Sequence, residues 1–223
     1  MSTPDTVATE VPEEPTPPEV SSFKLVATLA GAGVLAGLLL VFVYQATAPR
    51  IAKYKKEQQE IAAREVLGGA DRLEKLDFHD GAITVVPEGG DVTGEVLFRG
   101  FDAENELIGY ALPGGKFGYA DVIELMIGYA PHTRTLLGMK VLGNKETPGL
   151  GDGIIKNKVY AGQFPGRALP LIATKGKGES RESAEVDTIT GATISSSAVI
   201  GGINAAVEEF SAAIEAFEQG ATQ

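Results

Sequence analysis

The feature that most constrains this chain is an uncharged apolar run, Leu25–Tyr44. As a helix that rises ~1.5 Å per residue, it spans the ~30 Å hydrocarbon core of a bilayer. A buried helix of a soluble domain would usually be shorter or carry a polar stripe. A cleaved signal peptide would have a shorter run after a basic segment, and here Pro49 directly follows the small residues of Ala46–Ala48. We therefore predict an uncleaved transmembrane helix over residues 24–45.

Glycines within this run raise the question of a partner helix. Gly33 and Gly37 form a G-x-x-x-G pattern, which Gly31 extends. Small residues on one face let another membrane helix approach closely. Glycine is also frequent in membrane spans in general. The pattern therefore leaves two interpretations open, a contact face for another helix or an ordinary apolar span.

The segments on either side of the run differ in composition. Residues 1–22 are rich in Pro, Glu, Ser and Thr and show no apolar periodicity, which predicts a disordered acidic tail. Residues 49–68 mix apolar and charged residues, and a Gly68-Gly69 pair terminates the pattern, which predicts a helical stalk beyond the membrane.

The charges that flank the run bear on its orientation. Lys24 is the single basic residue on its N-terminal side, whereas Arg50, Lys53, Lys55 and Lys56 follow it closely. By the positive-inside rule alone, these charges place the C-terminal part in the cytoplasm. Large domains are translocated largely regardless of such charges, so the charge pattern leaves the orientation open.

Composition excludes several classes of function. The chain has 223 residues and a net charge of −11, and an acidic protein repels the phosphates of nucleic acids. It contains no cysteine, which excludes disulfides, thiolate metal sites and cysteine-held iron–sulfur clusters. Its two histidines, His79 and His132, are too few for a histidine-based metal site. We therefore expect no nucleic-acid partner, no metal, no thiol catalysis and no histidine-based catalytic triad.

Residues 70–218 predict an α+β domain, with an antiparallel sheet packed by helices. Short apolar or alternating runs are separated by turn-forming clusters such as Pro113-Gly114-Gly115, as is typical of strands. A long amphipathic helix is predicted from about Ser195 to Phe217, because apolar residues recur there at helical spacing. The predicted strands are Ala82–Val86, Glu95–Gly100, Leu107–Leu112, Val122–Tyr129, Leu136–Leu142 and Leu169–Thr174, and a short helix is predicted at Lys158–Phe164.

The first motif with candidate chemistry is Asp187-Thr188-Ile189-Thr190-Gly191-Ala192-Thr193-Ile194-Ser195-Ser196. It runs directly into the predicted last helix, with Ser195 or Ser196 as the expected N-cap. The free N–H groups and the positive dipole end of a helix start favour an anion such as a phosphate. Composition alone favours a simpler interpretation, a helix cap rich in Ser and Thr that binds no ligand.

The second motif is Asn144-Lys145-Glu146-Thr147-Pro148-Gly149-Leu150-Gly151-Asp152, which follows a predicted strand. Pro148 and Gly149 fit the two middle positions of a type II turn. Taken alone, this segment has the composition of an ordinary loop.

Together the two motifs resemble the covalent-FMN-binding domain family. The resemblance rests on Asp-x-x-Thr-Gly-Ala-Thr-x-Ser-Ser near the C-terminus and on Lys-Glu-Thr-Pro-Gly-Leu-Gly before it. With a single N-terminal span, the chain is similar to the RnfG family, the G subunits of Rnf-type ion-translocating ferredoxin:NAD⁺ oxidoreductase complexes. A related family comprises the C subunits of the sodium-translocating NADH:quinone reductase. The resemblance extends over residues 24–217 and leaves the acidic tail unexplained.

This resemblance implies a cofactor and the residues that hold it. In the family, the second threonine of Thr-Gly-Ala-Thr, here Thr193, is joined by a phosphoester to FMN, which a flavin transferase takes from FAD. Tyr119, Tyr129 and Phe164 are candidates for stacking on the flavin ring, although each is also typical of a protein core. The implied cofactor-binding residues besides Thr193 are Asp187, Thr190, Gly191, Ala192, Ser195, Ser196, Glu146, Thr147, Gly149, Leu150 and Gly151.

The function implied is that of an electron carrier that is not catalytic alone. Its partners would be the other membrane subunits of an Rnf-type complex, which couples ferredoxin:NAD⁺ electron transfer to ion translocation. The chain would sit in the cell inner membrane with its C-terminal domain on the periplasmic side. The alternatives are the C subunit of a sodium-translocating NADH:quinone reductase, a membrane-anchored FMN-binding module without redox turnover, and an unmodified structural anchor.

Overall fold

The computed structural model describes residues 21–87, 89–176 and 183–221. The chain divides into two compact units, Met1–Ala52 and Lys53–Gln223. Of the predicted acidic tail, residues 1–20 lie outside the described part of the chain. Its last predicted residue, Ser22, already belongs to a helix.

One helix, α1 (Ser22–Val66), contains both the predicted membrane span and most of the predicted stalk. Its N-terminal part is long and apolar enough to cross a bilayer, and every bulky apolar side chain of Leu25–Tyr44 is exposed. A continuous apolar surface of this length is stable in lipid rather than in water. Pro49 lies inside α1 and does not end it, although its ring removes one intrahelical hydrogen bond.

Among the described residues, the Lys53–Gln223 unit is built on a seven-stranded antiparallel sheet in the order β2-β1-β3-β4-β5-β6-β7. Two short strands, β8 and β9, form a separate parallel pair. The strands are β1 (Arg72–His79), β2 (Ala82–Val85), β3 (Glu95–Phe101), β4 (Leu107–Phe117), β5 (Val122–Ala130), β6 (Thr135–Gly143), β7 (Arg167–Ala168), β8 (Ile172–Thr174) and β9 (Glu185–Asp187). The remaining helices are α2 (Gly153–Lys156), α3 (Lys158–Ala161) and α4 (Thr193–Ala221).

Helices cover both faces of the sheet. On one face, Ile203 and Phe210 of α4 share a buried apolar cluster with Leu112 of β4 and Ile127 of β5. On the other face, the C-terminal end of α1 and the residues after it pack against the sheet. The members of that second cluster are Ala62, Ala63, Val66, Leu67, Ala70, Phe98, Ala111 and Met126. The alternation of side chains along each strand thus feeds two cores, and the expected antiparallel sheet packed by helices is confirmed.

The strand prediction missed β1, β7 and β9 and misplaced the limits of β4 and β8. It missed β1, because Glu74, Lys75 and Asp77 interrupt the apolar pattern of that strand. It treated Pro113-Gly114-Gly115 as a break, whereas β4 continues through them and pairs with β5. Proline is tolerated there because β4 pairs with β3 only as far as Ala111, which leaves one edge of β4 open.

A further error concerns the segment after the sheet. Of the predicted strand Leu169–Thr174, only Ile172–Thr174 forms β8. The predicted helix at Lys158–Phe164 is shorter, Lys158–Ala161, and is preceded by the unpredicted α2. These pieces are too short for apolar periodicity to reveal their limits.

The contact between α1 and the sheet depends on Gly128 in β5. A Cβ atom at this position would lie 2.2 Å from the backbone carbonyl oxygen of Val66. We expect Gly128→Ala to reduce the free energy of unfolding by about 1–3 kcal/mol, because the end of α1 must move away from the sheet. The measurement is urea unfolding of the detergent-solubilised full chain, followed by near-ultraviolet circular dichroism of its buried tyrosines. Gly220→Ala is the control, since its Cβ meets no atom within 4 Å; equal unfolding midpoints for the two variants would contradict the prediction.

Candidate functional site

The start of α4 forms one wall of the candidate site. The carbonyl of Ala192 accepts a 2.9 Å hydrogen bond from the N–H of Ser196, so the first helical residue is Thr193. The residues before it form a tight turn, closed by a 3.0 Å hydrogen bond from the Ala192 N–H to the Ile189 carbonyl. Gly191 occupies the third position of that turn with φ 84°, where a side chain would be strained. This geometry leaves the Thr193 side chain exposed at the helix start.

The predicted N-cap at Ser195 or Ser196 is wrong, because both residues lie inside the first turn of α4. The hydroxyl of Ser196 accepts from the Ile189 N–H at 3.1 Å and donates to the Ala192 carbonyl at 2.8 Å. The Ser196 hydroxyl therefore stabilises the turn before α4 and does not cap a free N–H group of the helix. The hydroxyl of Ser195 is also buried, and it donates to the carboxylate of Glu146 at 2.6 Å.

The second motif forms the facing wall. Thr147–Leu150 is a turn closed by a 3.1 Å hydrogen bond from the Leu150 N–H to the Thr147 carbonyl. Gly149 stands at its third position with φ 81°, as the predicted type II turn requires. The carboxylate of Asp152 accepts from the Gly149 N–H at 2.8 Å, which fixes the turn from the other side.

Glu146 joins the two walls. One carboxylate oxygen accepts from the backbone N–H groups of Tyr119 and Ala120, at 2.9 and 3.1 Å. The other accepts from Ser195 of α4. The residue is almost fully buried, with a relative exposure of 6%. It thus connects the β4–β5 hairpin, the second motif and α4 at one point.

Burial alone would raise the pKa of Glu146. The hydroxyl of Ser195 and the backbone N–H groups of Ala120, Tyr119 and Asp121 outweigh this effect, so its pKa lies below the ordinary value. Hydrogen bonds to the charged form favour ionisation. Glu146 is therefore a carboxylate at neutral pH, although it is buried.

Between the two walls lies a pocket of about 450 Å³. Its volume falls in the range of small-molecule sites in proteins. The lining residues are Tyr119, Glu146, Thr147, Leu150, Gly151, Gly191, Ala192, Thr193, Ile194 and Ser195. Eight of the twelve residues that the sequence analysis named for the site therefore line one pocket.

The other four named residues lie outside the pocket lining: Gly149, Thr190, Ser196 and Asp187. Gly149 and Ser196 act on the turns described above. Asp187, in β9, accepts a 2.8 Å hydrogen bond from the Thr174 hydroxyl, and its backbone bonds to the Gln163 side chain through both N–H and C=O. It therefore holds the segment that leads into the helix start.

Three aromatic residues were candidates for stacking on a flavin ring. Tyr129 and Phe164 are core residues with relative exposures of 1% and 0%, so neither reaches a ligand in the pocket. Tyr119 is 70% exposed and lines the pocket. Ile194 also lines the pocket and was not predicted as a site residue. Its signal is a bulky apolar side chain that stays exposed in the first turn of a helix.

These residues fit FMN in both chemical character and position. The first N–H groups of α4 lack intrahelical acceptors, and they lie beside the Thr193 hydroxyl where a phosphate would be held. Exposed apolar side chains of Tyr119, Leu150 and Ile194 line the same pocket and offer surfaces to a planar ring. The pocket thus combines an anion site with an apolar slot.

Comparison with known proteins agrees with this geometry. A family model for the FMN-binding domain matches residues 118–208, a range that includes both motifs and Tyr119. The G subunit of an ion-translocating oxidoreductase complex from Methanosarcina acetivorans is 30% identical over 189 residues, which are 85% of this chain and 94% of the relative. The G subunit of a proton-translocating ferredoxin:NAD(+) oxidoreductase complex from Clostridium ljungdahlii is 27% identical over 190 residues, 85% of this chain and 91% of the relative.

The fold is also similar to a solved structure. The crystal structure of NqrC from Shewanella oneidensis matches with a TM-score of 0.57 and 18% identity, and the match covers 74% of this chain and 99% of that chain. At this identity the likeness concerns the fold alone.

The lowered pKa of Glu146 makes its stabilising effect depend on pH. A carboxyl whose pKa is lower in the folded state stabilises above its ordinary value of 4.5, and this effect is lost as the pH falls through the folded-state pKa. We expect Glu146→Gln to reduce the free energy of unfolding by about 1 kcal/mol at pH 7, where a charge-assisted hydrogen bond becomes neutral. The difference from the unsubstituted protein should disappear in acid. Urea unfolding between pH 7 and pH 3 measures it.

The control for this series is Glu215→Gln, which neutralises an exposed carboxylate on α4. It should leave the acid limb of the stability profile unchanged. A difference between Glu146→Gln and the unsubstituted protein that stays constant down to pH 3 would contradict the assignment of Glu146 as a stabilising carboxylate.

Proposed function

The chain belongs to the RnfG family, the G subunits of ion-translocating oxidoreductase complexes, and we propose that it carries FMN covalently on Thr193 as the membrane-anchored electron carrier of such a complex. It is an electron-transfer flavin subunit with an FMN-binding domain. One observation carries the covalent part of the proposal. The exposed hydroxyl of Thr193 stands at the first position of α4, in the wall of a pocket suited to FMN.

Attachment is a phosphoryl-group transfer from FAD, catalysed by a flavin transferase. The Thr193 oxygen forms a bond to the FMN phosphorus, the pyrophosphate bond of FAD breaks, and AMP leaves while the hydroxyl proton passes to solvent. Exposure of Thr193 supports this step, because a second protein must reach the hydroxyl. Covalent attachment keeps the cofactor at any dilution, whereas non-covalent occupancy depends on the ligand concentration relative to Kd.

The residues of the chain then orient the cofactor instead of performing acid–base chemistry. When bound, FMN supplies the electron-accepting and electron-donating chemistry. The N–H groups at the start of α4 hold the phosphate, and the tight turns at Gly149 and Gly191 bring backbone close to the ligand. Tyr119, Leu150 and Ile194 line the pocket and would flank the ring and exclude water from part of it.

The apolar part of α1 anchors the domain to a membrane. Leu25–Tyr44 contains no ionisable residue except the phenol of Tyr44 at its end, so the coupled ion has no path along this helix. Translocation therefore belongs to other subunits, which are the partners that we propose. We place the anchor in the inner membrane and the domain on the extracytoplasmic side, where free FMN is scarce and a covalent link is most useful.

Identity favours this assignment over a quinone reductase. The relative from Methanosarcina acetivorans is 30% identical over nearly its whole length, whereas NqrC from Shewanella oneidensis is 18% identical and shares the fold. We therefore retain the C subunit of a sodium-translocating NADH:quinone reductase only as the second candidate.

Replacement of Thr193 tests the covalent link. Thr193→Ala should give a folded, colourless protein without the added mass of one FMN less water, because the other hydroxyls of this turn, on Ser195 and Ser196, are buried and hydrogen-bonded. The protein is produced in cells that express the flavin transferase. Intact mass and in-gel flavin fluorescence after denaturing electrophoresis then measure the covalently attached flavin. Ser197→Ala removes a hydroxyl from the same helix and should keep the flavin. A fluorescent band in the Thr193→Ala protein would refute the proposed attachment site.

Protease access tests the orientation. If the domain faces outward, protease added to sealed spheroplasts should digest the part of the chain beyond α1 and leave a short membrane fragment. Immunoblotting against a C-terminal tag measures the loss, and a cytoplasmic protein monitored in parallel reports whether the spheroplasts stayed sealed. Protection of the domain in sealed spheroplasts, with digestion only after lysis, would reverse the placement.

A further inference from the structure

Glu146 places a full negative charge in the wall of the pocket. Among the described residues that line the pocket, it alone carries a full charge. Its oxygens accept hydrogen bonds from Tyr119, Ala120 and Ser195, all of which are neutral donors. Within the described part of the chain, no Lys, Arg or His side chain lies within ion-pair distance of it. The charge is solvated by the protein but is not cancelled by a cation.

The position of this charge is fixed. A Cβ atom at Gly151 would lie 2.4 Å from one carboxylate oxygen and 2.9 Å from the Ser195 hydroxyl, so the backbone of the second motif presses directly on the pair. Three hydrogen bonds from two separate elements hold the carboxylate from other directions. The carboxylate of Glu146 therefore has little freedom to rotate away from a ligand in the pocket.

A fixed charge beside a redox group acts on its reduction potential. Electrons that enter the flavin bring negative charge into the pocket, and a nearby carboxylate disfavours that step by Coulomb repulsion. The repulsion is less screened for a buried charge than for one exposed to solvent. The protein surroundings of a flavin tune its electronics in this way.

We infer that Glu146 is a positioning residue which also sets the reduction potential of the FMN in this pocket, by holding one uncompensated negative charge beside it. The inference rests on the proposed function, since it requires FMN in the pocket. It predicts that the charge, separately from the hydrogen bonds, keeps the potential low.

Glutamine separates charge from geometry at this position. The amide oxygen of Glu146→Gln accepts from the Tyr119 and Ala120 N–H groups, and its NH₂ donates to the Ser195 hydroxyl, which is able to act as acceptor. The walls therefore stay joined while the charge disappears. A purely structural role for Glu146 predicts no change in potential for this variant.

The experiment is a spectroelectrochemical titration of the flavin-loaded full chain in detergent, with dithionite as the electron donor. Each reduction takes two electrons from the donor and one proton from solvent, so the reduced flavin carries one added negative charge beside the carboxylate. We expect Glu146→Gln to shift the equilibrium at least tenfold toward the reduced flavin, which corresponds to about 30 mV for a two-electron couple. Glu215→Gln, about 33 Å from Thr193 along α4 at ~1.5 Å per residue, should leave the potential unchanged.

Ser195→Ala distinguishes the charge from the shape of the pocket. It removes a donor but keeps the carboxylate, so its potential should equal or fall below that of the unsubstituted protein. A rise in Ser195→Ala as large as in Glu146→Gln would overturn the inference, because loss of geometry would then explain both. An unchanged potential in Glu146→Gln, or failure of that variant to carry FMN, would overturn it as well.

Intact mass of the unsubstituted protein separates the two proposals. If Thr193 carries FMN and the potential does not respond to Glu146→Gln, only the present inference fails. If the unsubstituted protein carries no FMN at Thr193, the proposed function fails, and the inference fails with it.

Discussion

The hydrogen bond from Ser195 to Glu146 joins two residues that are 49 positions apart in the chain, one in each motif. It ties the turn of the second motif to the start of α4 by a direct polar contact at the edge of the pocket. Its geometry depends in turn on the sheet, because the β4–β5 hairpin presents the N–H groups that donate to the other carboxylate oxygen. A buried carboxylate is stable only when such donors surround it. The walls of the pocket therefore stay together because the carboxylate of Glu146 accepts hydrogen bonds from both the β4–β5 hairpin and α4.

The two turns that flank the pocket have the same construction. Each is closed by a backbone hydrogen bond, and each places a glycine at positive φ in its third position, Gly149 in one and Gly191 in the other. In both cases the next residues, Leu150 and Ala192, then line the pocket. Sharp reversals of this kind let the backbone approach a ligand closely, where a side chain would obstruct it. The glycines in the two motifs thus have a conformational reason that is independent of any resemblance.

Much of this arrangement was accessible from the sequence, and the failures have identifiable causes. The apolar length of Leu25–Tyr44 and the helical spacing in α4 are strong local signals, and the positive φ of Gly149 was anticipated from the Pro-Gly pair. The strand β1 was missed because its charged residues are satisfied by distant partners: Arg99 binds Glu74, and the backbone of Thr93 and Gly94 binds Asp77. The Glu146–Ser195 contact is invisible to local patterns for the same reason, because its donors are assembled only by tertiary packing. Composition and spacing indicated only a helix start that could bind a phosphate. The identification of FMN as the cofactor came from the resemblance to the covalent-FMN-binding domain family.

Helix geometry explains why an exposed and a buried hydroxyl stand two residues apart at the start of α4. At 3.6 residues per turn, Thr193 and Ser195 point in directions about 200° apart around α4. Thr193 is therefore exposed, as the proposed attachment of FMN requires, while Ser195 faces the core and holds Glu146. A spacing of three or four residues would put both hydroxyls on one face, so that either both would be buried or the carboxylate of Glu146 would lose its donor. The Thr-x-Ser spacing thus places an accessible hydroxyl and the buried hydroxyl that binds Glu146 within one helical turn, on opposite sides of α4.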